Sequence, residues 1–540
     1  MFRSEKTISI LFKIIIISLS TVLIYTLFFD YSVIISHLIS LINLSQYEEK
    51  INSALDSQIF ILVQIYLVLS IIVFSYLHNK KNLYKQLCEI KEALLYNVKV
   101  GINQKLLFAI TIPVFGIIFF AYIFPVTNDE AYTYLNYASH TPLVAIMNYK
   151  DHNNHILNSI LVSLLDSFSL FSPVFSLRFP TIIVAVLTAL ISYSLLKKMY
   201  SEKFSLVVVS ILMTSYMSFI YSFISRGYGI IQLAFVVCLY CVVKINKDPL
   251  NKKYWLYFSI SSIVGFYAVP SFLFAYISLI FYLLSVNKKH FRNPIKYTIL
   301  TIIFTSYIYF PTLFSIGLNK SSDYFERPEL ISSIKALPLF LKSTLRSIFG
   351  ANEYFIIILL AFSTLLNLKH RNLIKLALFL TICPIVLMLI SSLIPFPRTF
   401  AYLTITILLF IFIPIRTIIE KSSFIRISIF VIFIQLSLLA NNFYHFKSIY
   451  KKDIALYELS KEITNNNSSY YINGYLIDTF LLFESISSDI PLGDIRYNTI
   501  PGTLNSDTIS GYDYVVISNI LDHTSDTTQT KIKNEYFNVY

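Results

Sequence analysis

The sequence predicts an all-α polytopic membrane protein with about thirteen transmembrane helices, amphipathic helices in its outer loops and a small C-terminal α/β outer domain. Three observations predict it. Of 540 residues, 56% are hydrophobic and only 14% charged, whereas a soluble domain carries about 25% charged residues. Apolar runs approaching the roughly 20 residues needed to cross a bilayer recur along 1–440. Basic residues gather in every second loop between those runs, as the positive-inside rule demands.

The expected spans, in order, are 7–29, 59–77, 105–125, 176–196, 204–224, 229–245, 254–269, 271–286, 296–316, 353–368, 374–394, 400–416 and 424–440. The first run is too long for a signal-peptide core and lacks a small-residue cleavage site, so it reads as a retained anchor. The pair at 254–286 is split only by Val269-Pro270-Ser271, which predicts a tight turn. Loops carrying Lys80, Lys81 and Lys85, then Lys197, Lys198 and Lys203, then Lys247, Lys252 and Lys253 face one side. So do those with Lys288, Lys289 and Arg292, with Lys369 and Arg371, and with Arg416, Lys421 and Arg426. A cytoplasmic N-terminus and an outer C-terminal tail follow.

Residues 441–540 change character, with seven Lys/Arg against twelve Asp/Glu in a chain whose net charge is +13. An acidic tail suits the outer side. Asp453 to Ile463 reads as a helix and Tyr512 to Ile517 as a strand. The expected organisation is a two-helix membrane hairpin with a basic loop at 1–104, a catalytic membrane core at 105–440 and an outer domain at 441–540. The basic charge does not imply nucleic acid, because it sits in short loops between apolar runs. Cys238 and Cys241 form a C-x-x-C inside an apolar span and read as small buried residues.

The outer loops hold the candidate chemistry. Asn128-Asp129-Glu130-Ala131-Tyr132 places two carboxylates at the mouth of a span, where ionisable groups are costly and usually functional. Asp129 is the candidate general base for an acceptor hydroxyl. Adjacent helical residues point about 100° apart, so Glu130 is assigned to acceptor binding or to orienting a neighbour. The competing structural reading is an acidic pair capping a helix over 131–138, with Asn128 or Asp129 as N-cap.

The same loop continues to Asp151-His152-Asn153-Asn154-His155 and an amphipathic stretch from Ile156 to Phe171. Tyr132, His152 and His155 are candidate substrate contacts. The two histidines lack the Cys or HExxH partners of a zinc site, so no metal is assigned. No cofactor is called for, and a divalent cation stays open. Arg178, Arg226 and Arg398 lie on the outer side beside apolar runs. A guanidinium fork matches phosphate oxygens, so they are candidates for a donor phosphate, against simple interfacial snorkelling. Ile331 to Phe349 has the spacing of an interfacial helix, and the loop at 317–352 is a candidate lid.

Four elements in this order resemble the GT-C superfamily of membrane glycosyltransferases. They are Asn128 to Tyr132, Asp151 to Leu157, Ser176-Leu177-Arg178-Phe179-Pro180, and Ser225-Arg226-Gly227-Tyr228-Gly229. The branch they resemble contains protein O-mannosyltransferases and bacterial aminoarabinose transferases acting on lipid A. The resemblance covers about 105–440, with 1–104 an added hairpin and the tail peripheral. It implies transfer of a sugar from a polyprenyl phosphate, outside a bacterial plasma (inner) membrane, with inversion. The acceptor would be a lipid, a polysaccharide or a protein, and membrane lipids and the polyprenyl-phosphate-linked donor would be the partners. Asp129 then resembles the family's acidic catalytic residue and Arg178 its phosphate-contacting arginine. His152 to Leu157 stands where the family has a His/Lys-Pro-Pro-Leu stretch, with Asn153-Asn154 replacing the prolines.

Two other readings stay open. A lipid-linked glycan flippase or transporter would show inverted repeats and mid-membrane charges, which the sequence lacks. An O-antigen polymerase or ligase-like enzyme would share a large outer loop but lack the early Asp-Glu pair.

Overall fold

The computed structural model of the protein describes residues 2–28, 33, 64–72, 74–75, 104–149, 153–168, 171–316, 330–350, 353–368, 370–465, 470–473, 477–488, 495–497 and 514–517. Helix α1 spans Phe2–Phe28, α2 Gln104–Ile123, α3 Asn128–Thr133, α4 Pro142–Met147, α5 Ile156–Asp166, α6 Pro173–Met199, α7 Glu202–Thr214 and α8 Tyr216–Ile220. Then follow α9 Tyr228–Lys247, α10 Lys252–Ala268, α11 Leu273–Val286, α12 Arg292–Ile316, α13 Leu330–Phe349, α14 Glu353–Leu366 and α15 Arg371–Ser391. The series closes with α16 Leu403–Phe412, α17 Arg416–Lys421, α18 Phe424–Ile449, α19 Lys451–Asn465 and α20 Ile477–Ser488.

Among the described residues five helices are long and apolar enough to cross a membrane: α2, α6, α9, α15 and α18. A sixth span results if the pair α13–α14, bent by 90°, counts as one. The described residues thus support a polytopic helical protein, and the full expectation of thirteen spans belongs to the topology proposed below. Gln64 Nε2 donates to the Thr26 carbonyl at 2.8 Å, which ties the two parts of the N-terminal segment together.

The main core lies where α2, α6, α7 and α9 pack against one another and against α18. The turn expected at Pro270 is present: Val269 is extended, Pro270–Phe272 makes a 3-10 turn, and α10 doubles back into α11. The expected span 204–224 is instead broken. α7 ends at Thr214, Ser215 is extended, and α8 restarts at Tyr216. Asn442 Nδ2 from α18 donates to the freed Thr214 carbonyl at 2.9 Å. A broken membrane helix is tolerated where a neighbour satisfies its backbone. Pro113 inside α2 removes the amide that would pair with Ala109 four residues earlier. Gln435 Nε2 supplies the missing donor to Ala109 O at 2.6 Å.

The tail forms a small parallel sheet, with β1 Tyr470–Asn473 between β2 Ile495–Tyr497 and β3 Tyr514–Ile517. Tyr470 pairs with Ile495 on one side and Tyr514 on the other. The expected helix at 453–463 is α19, and β3 lies within the expected strand. Helices α19 and α20 are not peripheral to the membrane core. Phe480 and Phe483 of α20 and Tyr457 of α19 share a second core with Val126, Ala131, Tyr134 and Leu177. That core backs the acidic loop between α2 and α5.

Candidate functional site

The loop after α2 opens on a capping box. The Glu130 amide donates to Thr127 Oγ1 at 3.3 Å and the Thr127 amide to Glu130 Oε2 at 3.0 Å. The pair satisfies two free donors at the start of α3. The N-cap is therefore Thr127, not Asn128 or Asp129, and α3 gives way after Thr133 to a π-helical turn at Tyr134–Ala138. Such turns re-aim side chains and are frequent at functional sites.

This geometry sends the two acidic side chains to opposite environments. Glu130 is fully buried. Its Oε1 accepts from Arg178 Nε at 3.2 Å and from the Ser225 amide at 2.9 Å, and Oε2 accepts from Arg178 Nη2 at 3.0 Å. Arg178, 2% exposed, also donates to the carbonyls of Ala121 at 2.7 Å, Phe124 at 2.9 Å and Pro125 at 2.8 Å. All five guanidinium N–H groups thus find partners within the protein. Three of them cap the carboxyl end of α2, where carbonyls lack helical partners and a cation is favoured. Arg178, expected at the donor phosphate, presents no free donor in this arrangement. Glu130, expected at the acceptor or as an orienting neighbour, joins α3, α6 and the Ser225 loop.

Asp129 points the other way and is 34% exposed. Its Oδ2 receives Arg398 Nη1 at 3.1 Å and faces Arg226 Nη2 at 3.4 Å. Arg226 enters from the loop before α9 and also donates to Asn153 Oδ1 at 3.0 Å. Gly227 permits that approach, because a Cβ there would stand 2.8 Å from the Ala268 carbonyl oxygen and 3.2 Å from His155 Cβ. Arg398 comes from the 3-10 turn Pro397–Phe400, which packs against α13. Arg226 is 2% exposed, yet among the described residues its Nε and Nη1 have no hydrogen-bond partner, nor has Arg398 Nε. Buried guanidinium donors without partners are costly, so the site is electropositive and incompletely satisfied.

His155 precedes α5 and is buried with its ring edge against Tyr228, centroids 5.0 Å apart. Burial, with Arg226 and Arg398 nearby, pushes its pKa well below the ordinary value. The ring is neutral, so the positive charge beside Asp129 is that of Arg226 and Arg398. Tyr132 is half-buried beside Tyr137. His152 lies outside the described residues, as do 317–329 of the expected lid. Asn153 and Asn154 brace this loop. Asn154 Nδ2 donates to the carbonyls of Ala145 and Asn148, both at 2.8 Å.

Sequence reasoning missed two participants. Thr127 was legible as a T-x-x-E signature. Asp453, whose Oδ2 accepts the Asn128 amide at 3.0 Å across 325 residues, carried no local signal.

A family model described as dolichyl-phosphate-mannose-protein mannosyltransferase matches residues 164–310, a stretch that includes Arg178 and Arg226. Curated proteins yield no match. Among solved structures, the crystal structure of the Archaeoglobus fulgidus oligosaccharyltransferase complex with Zn and sulfate is similar at 13% identity and a TM-score of 0.44. The alignment covers 72% of this chain and 61% of that one. Residues 164–310 are thus similar to the dolichyl-phosphate-mannose-protein mannosyltransferase family, in line with the resemblance of the motifs.

Proposed function

We propose that the protein transfers a sugar from a polyprenyl-phosphate donor to an acceptor hydroxyl on the outer side of a bacterial plasma membrane, with inversion. One observation carries the reading. A one-third-exposed carboxylate, Asp129, meets two arginines with buried donors that have no partner among the described residues, Arg226 Nε and Nη1 and Arg398 Nε. The matched family supports a lipid-linked donor.

The two arginines suit the phosphate better than Arg178 does, because Arg178 already spends its donors on Glu130 and on α2. Asp129 acts as general base through Oδ1, while the arginines hold Oδ2. The acceptor hydroxyl loses its proton to Asp129, and its oxygen forms a bond to the anomeric carbon. The bond from that carbon to the phosphate oxygen breaks, and the phosphate departs with the electron pair. Arg226 and Arg398 stabilise the charge that develops there. The phosphate needs no strong acid to leave. Attack opposite the leaving group gives inversion. Tyr132, His152 and His155 are proposed to contact substrate, His155 as a neutral ring. The proposed topology keeps the N-terminus cytoplasmic, about thirteen spans and an outer tail, which puts every arginine of the site on the outer side.

The test is mass spectrometry of surface lipids, glycans and secreted proteins from the native host carrying wild type or Asp129→Asn at equal protein level. Loss of one sugar mass in the variant supports transfer and identifies sugar and acceptor class. An unaltered surface with the variant refutes Asp129 as the base.

A further inference from the structure

We propose that Asp453, in the C-terminal segment, is a positioning residue for Asp129, so that the tail completes the active site. The inference rests on the function proposed above. Tyr450 lies in the turn between α18 and α19, and α19 carries Asp453 and Tyr457; at i, i+3 and i+7 the three fall on one side of this segment. Each of the three meets a different level of the acidic loop. Tyr450 is close enough to Arg398, Asp129 and Arg226 for their charges to act on its hydroxyl. Asp453 accepts the Asn128 amide. Tyr457 interacts with Glu484, Arg178 and Glu130.

The Asp453 bond falls where it controls Asp129. Asn128 is the first residue of α3, and its amide is one of the donors that a helix start leaves without an intrahelical partner. Asp453 satisfies it with a charged acceptor, which is shorter and stronger than a neutral one. The next residue is Asp129. The charged groups facing Asp453 are Asp129 and Glu130 from the loop and Lys452 on its own helix. Like charge on Asp453 disfavours any swing of the Asp129 carboxylate towards the tail and favours its place against Arg226 and Arg398. Burial, with those two acidic neighbours, also raises the carboxyl of Asp453 above its usual range, against the pull of the Asn128 amide. The anchor itself is firm, because α19 packs along α20 and both close on the core behind α3.

The experiment uses the full chain in the native host with Asp453→Asn, Asp453→Ala and Asp129→Asn, and the same purified proteins with undecaprenyl phosphate as a binding probe. Asp453→Asn keeps an acceptor oxygen for the Asn128 amide and loses the charge, whereas Asp453→Ala loses both. Expected is a product level down about tenfold in Asp453→Ala, the rate equivalent of one hydrogen bond to a charged group. Asp453→Asn regains a substantial part of that loss. Affinity for undecaprenyl phosphate stays within about twofold of wild type in both, because the arginines are untouched. Normal product from Asp453→Ala, with Asp129→Asn inactive, overturns the positioning role and leaves the function intact. Normal product from Asp129→Asn overturns both. Equal loss in the two Asp453 variants together with weakened lipid binding marks general structural damage and also overturns the proposal. If Asp453→Ala does not accumulate, Asp453→Asn decides alone: product below wild type with undecaprenyl phosphate affinity retained sustains the role, and wild-type product or weakened lipid binding refutes it.

Discussion

Two arginine–carboxylate centres stand one residue apart on α3, and they differ in every respect that matters for chemistry. The Glu130–Arg178 centre is closed: both side chains are buried, and carboxylate and guanidinium alike are saturated by protein partners. The Asp129–Arg226–Arg398 centre is open. Its carboxylate is one-third exposed and its arginines keep buried donors in reserve. A saturated pair holds a fold together and has nothing left to give a substrate. An unsaturated one carries a cost that an anionic ligand can relieve. Adjacent sequence positions therefore take different roles, set by which way a capping box turns the helix.

The sharpest way to break this comparison is to truncate one member of the closed centre. Arg178→Ala leaves Glu130 buried and unpaired and strips the end of α2 of its donors. Removing one partner of a buried ion pair costs ~3–5 kcal/mol, so the variant should accumulate poorly and unfold at markedly lower temperature. Thermal unfolding of purified protein checks it. A stable Arg178→Ala protein that has lost only undecaprenyl phosphate binding would return Arg178 to the donor site. The matching probe of the open centre is Arg398→Ala. Loss of hydrogen bonds to a charged group, ~1.5–3 kcal/mol, should weaken undecaprenyl phosphate binding roughly 10- to 100-fold. Its unfolding temperature should stay near that of wild type, since Arg398 is partly exposed. A large thermal loss with unaltered binding would make it structural.

The sequence carried Asp129, Arg226 and Arg398 as three separate loop signals, and the structure brings them together although Asp129 and Arg398 are 269 residues apart. Charge alternation fixed which loops share a side, and residue type fixed what each could bind. The division between closed and open centres was not legible. Arg178 looks like any outer arginine until its partners are seen to be the backbone oxygens of Ala121, Phe124 and Pro125, and backbone groups leave no mark in sequence. The break at Ser215 was hidden for a similar reason. Hydropathy reads 204–224 as one run, and the tolerance for the break comes from Asn442, far along the chain. The turn at Pro270 was legible because proline acts locally.

Thr127→Ala tests the device that separates the two carboxylates. It removes the acceptor for the Glu130 amide and half of the capping box, a loss of ~1 kcal/mol. Stability should fall by that amount, read from chemical denaturation. Transfer should fall further than stability alone explains, because Asp129 and Glu130 both hang from the turn that Thr127 starts. Equal and small losses in both would confine Thr127 to helix capping.

The smallest expected effect concerns His155, which lies beside the open centre. Its pKa in the folded protein is held well below the ordinary 6.5 by burial, then by Arg226 and Arg398, with a hydrogen bond to the Ala268 carbonyl opposing. The unfolded chain therefore takes up a proton near pH 6.5 that the folded protein refuses. Stability from this group is present above that pH and is lost as the pH falls below it, by ~0.8 kcal/mol between pH 7.5 and 6. His155→Asn removes the titrating group and should flatten that part of the stability curve, measured by denaturation at the two pH values. If the variant keeps the wild-type slope, the acid sensitivity belongs to another group. A cationic imidazole there would add its charge to that of Arg226 and Arg398, so protonation of the ring is opposed by the same two arginines that make the open centre attract an anion.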